Sequence, residues 1–519
     1  MGFLEDRDFS DVPKIPEYYK GKTIFITGGS GFMGKVLIEK LLYSCTDLAR
    51  MYLLLRSKKG VAAEDRLKAI YDSQCFDRLK RDRPGVFESK VFFIAGDVSE
   101  PGLGLSEEDR QVIANRVNIV FHVAASVRFD DPLKVAARLN LRGTRDMMAL
   151  AYEIKNLEAL IHVSTSYANT NRDPVEEVMY PPHANWRDTL NICENIDDHS
   201  LKVLTPKYLG ELPNTYVFTK QLAEHVVYEQ KGKLPIIILR PSIVISSVAE
   251  PAPGWVENFN GPVGIFVAGA QGILRSMYSD PNLIPDYMPV DIAIKGFIAA
   301  AWIRGTKKLE PSDDIPIYNC CSNNMHEVSI GNLIKMGYQI APLIPSKTML
   351  WNVGGGVTKS ITVHMLKIWL THLLPAILVD TVLLILRKKP MLVKIQRRIY
   401  SANIALEYYV TQQWTFCNKN FVALRSCLKK GDLNNFYYDM ENIDKFEYFK
   451  ASCEGGKKYL LKETDDDGIT AKRHYRRMVI LDKLVKCVFY GYLSWRIFNT
   501  AYVQSWIDSS YNMFEELHF

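Results

Sequence analysis

Thr23-Ile24-Phe25-Ile26-Thr27-Gly28-Gly29-Ser30-Gly31-Phe32-Met33-Gly34 begins as a short apolar run and breaks into closely spaced glycines. Lys35-Val36-Leu37-Ile38-Glu39-Lys40-Leu41-Leu42 follows, with apolar positions at helical spacing. The order is strand, tight turn, helix. Backbone N–H groups at a helix N-terminus bind pyrophosphate, and residues without Cβ let the phosphates come close. Thr27, Gly28, Gly29, Ser30, Gly31, Phe32, Met33 and Gly34 are therefore the candidate phosphate cradle. An ordinary tight βα turn is also glycine-rich. The placement after a strand and before a helix favours the nucleotide reading.

Outward from this turn, strands and helices alternate. Arg50 to Arg56 reads as a second strand ending in Arg56-Ser57-Lys58-Lys59. An acidic residue at that point suits NAD, whereas a basic cluster suits the 2′-phosphate of NADP, so Arg56 and Lys59 are candidates for NADPH. Val91 to Asp97 is a third strand, which leaves Asp97 and Val98 at the adenine edge. Val117 to Ser126 is a fourth, ending in small residues. Ala124 and Ala125 there let a flat cofactor lie against the sheet. His122 reads as a strand-end packing or hydrogen-bonding group rather than a ligand. Asn140, in the next helix, suits a structural or a proton-relay role. Leu160 to Tyr167 is a fifth strand ending in Ser164-Thr165-Ser166. An insertion of about residues 170 to 210 is too long for a bland connector and reads as a lid or substrate-side loop. Pro235 to Pro241 is a further strand, and Gly254 to Gly272 reads as an apolar wall of a substrate channel. The expected fold is α/β: a Rossmann-type, doubly wound parallel sheet with a mostly helical C-terminal domain.

The chain has 519 residues, enough for two or three units. Residues 1–20 read as a polar leader and 21–355 as the nucleotide-binding reductase domain, with its substrate part at about 245–355. The glycines at 354–356 mark a boundary. Residues 356–460 read as a helical domain and 461–519 as a basic and apolar tail. A net charge of +6 over this length does not argue for nucleic acid. Nine scattered cysteines without a Cys-x-x-Cys pair suit a reduced compartment and no metal site. The acidic N-terminus has no signal-peptide core, and Asp6 stands where myristoylation wants Ser or Thr.

Two apolar runs bear on membranes. Ile368–Leu386 carries His372, Pro375 and Asp380, and Met478–Phe498 carries Asp482, Lys483, Lys486 and Arg496. A span wants about 20 largely uncharged residues, and neither run is clean. Their basic flanks, Arg387-Lys388-Lys389 and Lys472 to Arg477, suit an anionic surface. If the second run spans, its basic leading flank keeps the catalytic domain cytosolic.

Tyr216 and Lys220 are four apart, which on a helix puts both on one face. An ammonium near a phenol favours phenolate and can also hold ribose hydroxyls. A hydroxyl from the fifth strand end would share the substrate oxygen with Tyr216, making an acid pair for carbonyl reduction. A Tyr-x-x-x-Lys pair is common by chance. Its place after the glycine turn, with the Ser/Thr strand end between, makes the ordered triple specific.

That order, completed by Arg240-Pro241-Ser242, resembles the extended short-chain dehydrogenase/reductases. More narrowly, the chain resembles eukaryotic, insect-like alcohol-forming fatty acyl-CoA reductases over about residues 15–500. Phe121 to Asp130, His162 to Asn169, Pro213 to Lys220, Leu239 to Val244, Pro289-Val290-Asp291 and Trp414 to Asn420 carry this likeness. The resemblance implies that a long-chain acyl-CoA and two NADPH give a fatty alcohol, CoA and two NADP⁺. It implies Tyr216, Lys220, Thr165 and Ser166 as catalytic residues. Lys220, Asn140, Pro241 and Ile243 then join the cofactor site. Ser166 holds the usual catalytic position of extended reductases, and the burden moves to Thr165 or Ser164 where relatives carry Ala there. An intracellular membrane, endoplasmic reticulum or peroxisome, is the implied location, and a homo-oligomer is compatible. An aldehyde-releasing reductase and a reductase of free carbonyls share the same triad, and a cofactor-binding scaffold without turnover is the alternative from another class.

Overall fold

A computed structural model describes residues 9, 11–56, 60–259, 262–306, 314–464, 468–500, 503–507 and 509–510. Seven strands form the central sheet: β1 (Thr23–Thr27), β2 (Arg50–Leu55), β3 (Val91–Ala95), β4 (Ile119–His122), β5 (Ala159–Val163), β6 (Ile236–Pro241) and, after three short strands, β10 (Ile317–Cys320). Their order is β10-β6-β5-β4-β1-β2-β3, and every pairing is parallel. The chain winds outward from β1 in one direction, then returns to its other side at β4. The crevice between the C-terminal ends of β1 and β4 is thus the switch point, where such sheets bind ligands.

The strands are apolar on both faces because helices cover both. Ile24 and Ile26 of β1, with Phe121 and Ile161, share one core with the Phe32–Ser44 and Val290–Gly305 helices. Phe25, Val120 and Leu160 point the other way, into a core shared with Leu141, Val217 and Leu222. Each such fully buried Ile or Phe contributes about 1.5–3 kcal/mol.

Smaller parallel ribbons complete the substrate part: β7 (Ile243–Ile245) pairs with β9 (Tyr287–Pro289), and β8 (Ser276–Tyr278) with β11 (Gly356–Thr358). The last pairing falls at the expected boundary. Gly356 lies inside a ribbon, and the segment is tied back to residues 80 positions earlier instead of linking two free bodies. The leader also differs from its expected polar character. Ile15, Tyr18 and Tyr19 of the Ile15–Tyr19 helix are buried, Tyr19 Oη donates to the Ile298 carbonyl at 3.2 Å, and Pro13 O accepts from Trp302 Nε1 at 2.9 Å. Three apolar side chains on one short turn were the overlooked signal.

The 170–210 insertion folds as two helices, Trp186–Asn195 and Asp198–Leu209, against the outer face of the sheet's helices. Its first part is stitched to the C-terminal region. Val175 N donates to Thr415 O and Cys417 N to Val175 O, both at 2.9 Å. Glu177 accepts from the amides of Asn319 and Phe421. Buried Arg240 pairs with Glu224 at 2.7 Å and donates to the Glu176 and Val178 carbonyls. Residues 175–178 of the insertion, expected as part of a lid or substrate-side loop, are thus bonded to the sheet and to residues 415–421.

Both apolar runs are helical. The first lies in Ile361–Ile385, continuous through a π-helical turn at Ile368–Leu373, and is long and apolar enough to cross a membrane by length and composition. The second lies in the 31-residue Gly468–Phe498 helix.

Candidate active site

The glycine turn sits at the C-terminal end of β1. Gly28 has φ +78°, and a Cβ there would lie 2.7 Å from Ala124 N at the end of β4. A Cβ on Gly34 would lie 2.3 Å from Gly28 O, so the helix packs on the turn only through glycine. Gly31 starts the helix with extended backbone and no side-chain cap. The first-turn N–H groups around Phe32, Met33 and Gly34 are therefore left for an anion.

At the end of β2, Arg56 Nη1 donates to Asp97 Oδ2 at 3.0 Å. Asp97 also accepts from Ser99 N and Oγ. Burial pushes its carboxyl up, but these bonds and Arg56 hold it below the usual range. Lys59, with Ser57 and Lys58, lies outside the described residues. Arg66, not singled out from the sequence, reaches the same spot and donates to Ser30 Oγ at 3.3 Å. Its only local signal was a cation on the helix after the strand. Val98 is buried, and a Cβ on Gly143 would meet its Cγ1 at 2.3 Å, so the adenine edge is closely packed.

Across the switch point, one hydrogen-bond chain orders the floor. Ala124 N donates to Thr27 Oγ1 at 3.3 Å, and Thr27 Oγ1 meets His122 Nδ1 at 2.9 Å. His122 Nε2 meets Thr144 Oγ1 at 3.2 Å, and Thr144 donates to Asn140 O at 2.7 Å. Because Thr144 spends its proton on Asn140, His122 donates from Nε2 and accepts from Thr27 at Nδ1. Burial, helped by the Lys220 charge, lowers His122 to about 3, so it is a neutral hydrogen-bonding group as expected. His162 stacks on it at 5.6 Å, likewise held neutral by burial.

Asn140 lies in a π-helical turn, Ala137–Arg142, a distortion frequent at functional sites. Its side chain accepts from Ser126 N at 2.8 Å and donates to Thr219 Oγ1 at 3.0 Å. Asn140 thereby clamps the Ala124–Ala125–Ser126 loop to the helix that carries Tyr216 and Lys220.

That helix, Thr215–Tyr228, is capped by Asn214, whose side chain accepts from Val217 N at 3.0 Å. Lys220 is 2 % exposed and donates to Val163 O at 2.7 Å, at the end of β5. Burial lowers Lys220 to about 8, with Glu224 pulling it back up. Burial pushes the Tyr216 phenol up to about 12, and the Thr165 hydroxyl beside it pulls it down. Burial thus acts on the phenol opposite to the lowering expected from a nearby ammonium, and it favours the neutral form that the expected role of Tyr216 as proton donor requires.

The three strand-end hydroxyls separate. Ser166 Oγ is fully buried and donates to Arg240 O at 2.6 Å, so it braces β5 against β6 below Pro241. Thr165 lies beside Tyr216, its Oγ1 accepting from Tyr167 N at 3.2 Å. Ser164 Oγ is buried with no partner among the described residues. The uncapped helix, the glycine cradle and this orphaned hydroxyl fit a dinucleotide lying from β2 to β5.

A largely apolar cavity of about 270 Å³ lies beside the site. Ile243, Tyr287 and Tyr409 line its inner end. The Gly254–Gly272 stretch contributes Val256, Val263 and Phe266, as expected of a wall, and residues 170–210 contribute nothing. Tyr409, from the C-terminal region, closes the path to Tyr216. Its ring is 5.0 Å from Phe129, which is 5.9 Å from Tyr216. Asn214 Nδ2 donates to its hydroxyl at 2.8 Å, joining it to the cap of the Tyr216 helix. Only the chain's three-dimensional path brings position 409 here.

The "Male sterility protein" family models match residues 26–297 and 371–463. "Fatty acyl-CoA reductase 1" of Rattus norvegicus is 38% identical over 493 residues, covering 93% of each chain. The chain belongs to the fatty acyl-CoA reductase family. "Fatty acyl-CoA reductase wat" of Drosophila melanogaster is 35% identical over 503 residues, 96% of each chain. Among solved structures, the fatty acyl-CoA reductase fold matches the reductase domain of a nonribosomal peptide synthetase from Mycobacterium tuberculosis. The TM-score is 0.59 at 17% identity, covering 88% of this chain and 95% of the other. The terminal R domain of the myxalamid pathway matches at 0.56 and 19%, covering 84% of this chain and 90% of that domain. These two establish fold likeness alone.

Proposed function

We propose that this enzyme reduces a long-chain fatty acyl-CoA to a fatty alcohol in two steps at one site, with NADPH as the reductant and free CoA released. The observation that carries it is Tyr216 beside Thr165 at the switch-point crevice, with an apolar cavity whose lining residue Tyr409 packs on Phe129, the neighbour of Tyr216. The nicotinamide supplies hydride. Tyr216 and Thr165 donate hydrogen bonds to the carbonyl oxygen, where negative charge develops. Lys220, on the same helix as Tyr216 and held at Val163 O, would hold the ribose hydroxyls of the cofactor. In the second step Tyr216 gives its proton to the alkoxide oxygen, for which a neutral phenol is the required starting state. The two hydride transfers require no acyl-enzyme, so no cysteine need act as nucleophile, and burial pushes the Cys320 and Cys321 thiols well up. Arg56 and Arg66 at the end of β2 support NADPH over NADH.

In this reading residues 21–355 carry the chemistry, 245–355 and 356–460 enclose the acyl cavity, and 461–519 act at a membrane. The exposed apolar face of the Ile361–Ile385 helix supports attachment to an intracellular membrane, endoplasmic reticulum or peroxisome, with the body cytosolic. Tyr216→Phe removes the proton donor, and palmitoyl-CoA-driven NADPH oxidation is expected to fall by about 10²–10⁴. Product mass spectrometry with a free-thiol assay completes the test. Full activity in the variant, or carbonyl reduction without CoA release, refutes the reading.

A further inference from the structure

The cavity reaches the surface beside Tyr338 and Gly355. Both line it, both are exposed, and Tyr338 Oη donates to Gly355 O. Arg275 and Ser276, also in the lining, hold the apolar Ile361–Ile385 helix from the other side. Arg275 N donates to His372 Nε2 at 2.8 Å, and Ser276 Oγ meets His364 Nδ1 at 2.9 Å. Near the helix end Asp380 accepts from Met391 N and Leu392 N at 2.9 and 3.0 Å. His364 and His372 thus tie the helix to the cavity wall, and Asp380, eight residues on, ties it to the start of the Leu392–Val410 helix, so one buried stripe runs along its length. Its other face shows Leu366, Trp369, Leu370 and Ile385, 55–75% exposed. A helix pinned along its length does not stand across a bilayer clear of the body; it lies in the interface with its apolar face down.

The second apolar element starts at the same mouth. Asp482 accepts from Trp351 Nε1 at 2.7 Å and Asn352 Nδ2 at 3.1 Å, just before the Gly354–Gly356 rim. Beyond it, residues 483–498 are exposed all round. The basic flanks Arg387, Lys388, Lys389 and Arg476, Arg477 are exposed and free of ion pairs among the described residues, so this face complements anionic lipid.

We infer that the Tyr338–Gly355 mouth opens into an anionic bilayer and discharges the long-chain alcohol straight into lipid, an inference that rests on the acyl-CoA reading above. Each methylene lowers aqueous solubility about fourfold, so release to water is on the order of 10⁵ harder for hexadecanol than for octanol. A lipid exit removes that barrier.

The test plugs the mouth after folding. Lys335 is exposed, stands outside the cavity lining and lies one helical turn before Tyr338 at the rim, so a bulky group on it covers the mouth without entering the cavity. Full-length Lys335→Cys in a Cys417→Ser/Cys453→Ser/Cys487→Ser background is bound to phosphatidylserine-containing vesicles and alkylated with pyrenyl-maleimide; the background protein, treated alike, is the control. The expected result is one equivalent of hexadecanol formed in a burst, then a steady-state rate at least tenfold lower, while octanoyl-CoA turnover changes less than twofold. Equal loss for both chains, no loss, or loss of the palmitoyl burst itself overturns the exit. A control that releases no CoA overturns the underlying reading instead.

Discussion

Thr165→Val and Ser166→Ala separate catalysis from bracing at adjacent positions. Valine keeps the shape of threonine and removes the hydroxyl beside Tyr216. If that hydroxyl stabilises the developing oxyanion, its loss costs about 2.7–4 kcal/mol, or 10²–10³ in kcat. The Tyr216 pKa also rises further, because Thr165 is what pulls it down toward 12. Stability falls by only about 1 kcal/mol, for the bond from Tyr167 N. Ser166→Ala reverses the pattern. It removes the 2.6 Å bond to Arg240 O, for about 1–3 kcal/mol of stability, and leaves the groups around Tyr216 in place. Its rate should stay within a few-fold of the parent enzyme. Palmitoyl-CoA-dependent NADPH oxidation gives the rates, and urea midpoints on the same samples give the stabilities. A Ser166→Ala enzyme that loses more rate than Thr165→Val refutes the assignment.

Activity should fall as pH rises through about 8, where Lys220 loses its charge, and a pH–rate profile of kcat/KM should show that limb. The stability sign is opposite: between about pH 8 and the ordinary lysine value near 10.4 the unfolded chain binds more protons, so the Lys220 contribution rises with pH. Burial pushes Glu250 up, but Lys40, Lys295 and Arg78 hold it down at about 2, so its stabilisation is present above the ordinary glutamate range and lost as pH falls toward 2. Glu250→Gln should cost about 3–5 kcal/mol at neutral pH by leaving Lys40 buried and unpaired, measured by denaturant unfolding. Arg66→Ala should raise the NADPH KM about 10–100-fold with little change for NADH, and equal effects on both would displace Arg66 from the 2′-phosphate site.

Position by position, legibility tracked the range of the interactions. The glycine spacing around Gly28 and Gly34 was readable because a turn and its helix are local, and the same holds for the Tyr216–Lys220 face. The doubly wound sheet followed from alternating apolar runs. His122 was read correctly as a packing and hydrogen-bonding group because a strand end limits what a histidine can do. Other features depended on distant partners. The 170–210 insertion looked like a lid by length alone, yet Val175 and Glu177 bind Thr415, Asn319 and Phe421. The leader looked polar in composition, yet three residues of one turn enter the core.

By itself the sequence determined the glycine-rich βα turn, the shared helix of Tyr216 and Lys220 and the family, because spacing along a chain dictates which groups share a turn or a helix face. Tertiary structure alone decided which hydroxyl lies beside Tyr216, that burial pushes its phenol up, and that Tyr409 and Arg66 come close to Phe129 and Ser30. Those outcomes depend on burial and on contacts between segments tens to hundreds of residues apart. Such contacts arise only when the sheet brings the ends of β1, β4 and β5 under the C-terminal helices.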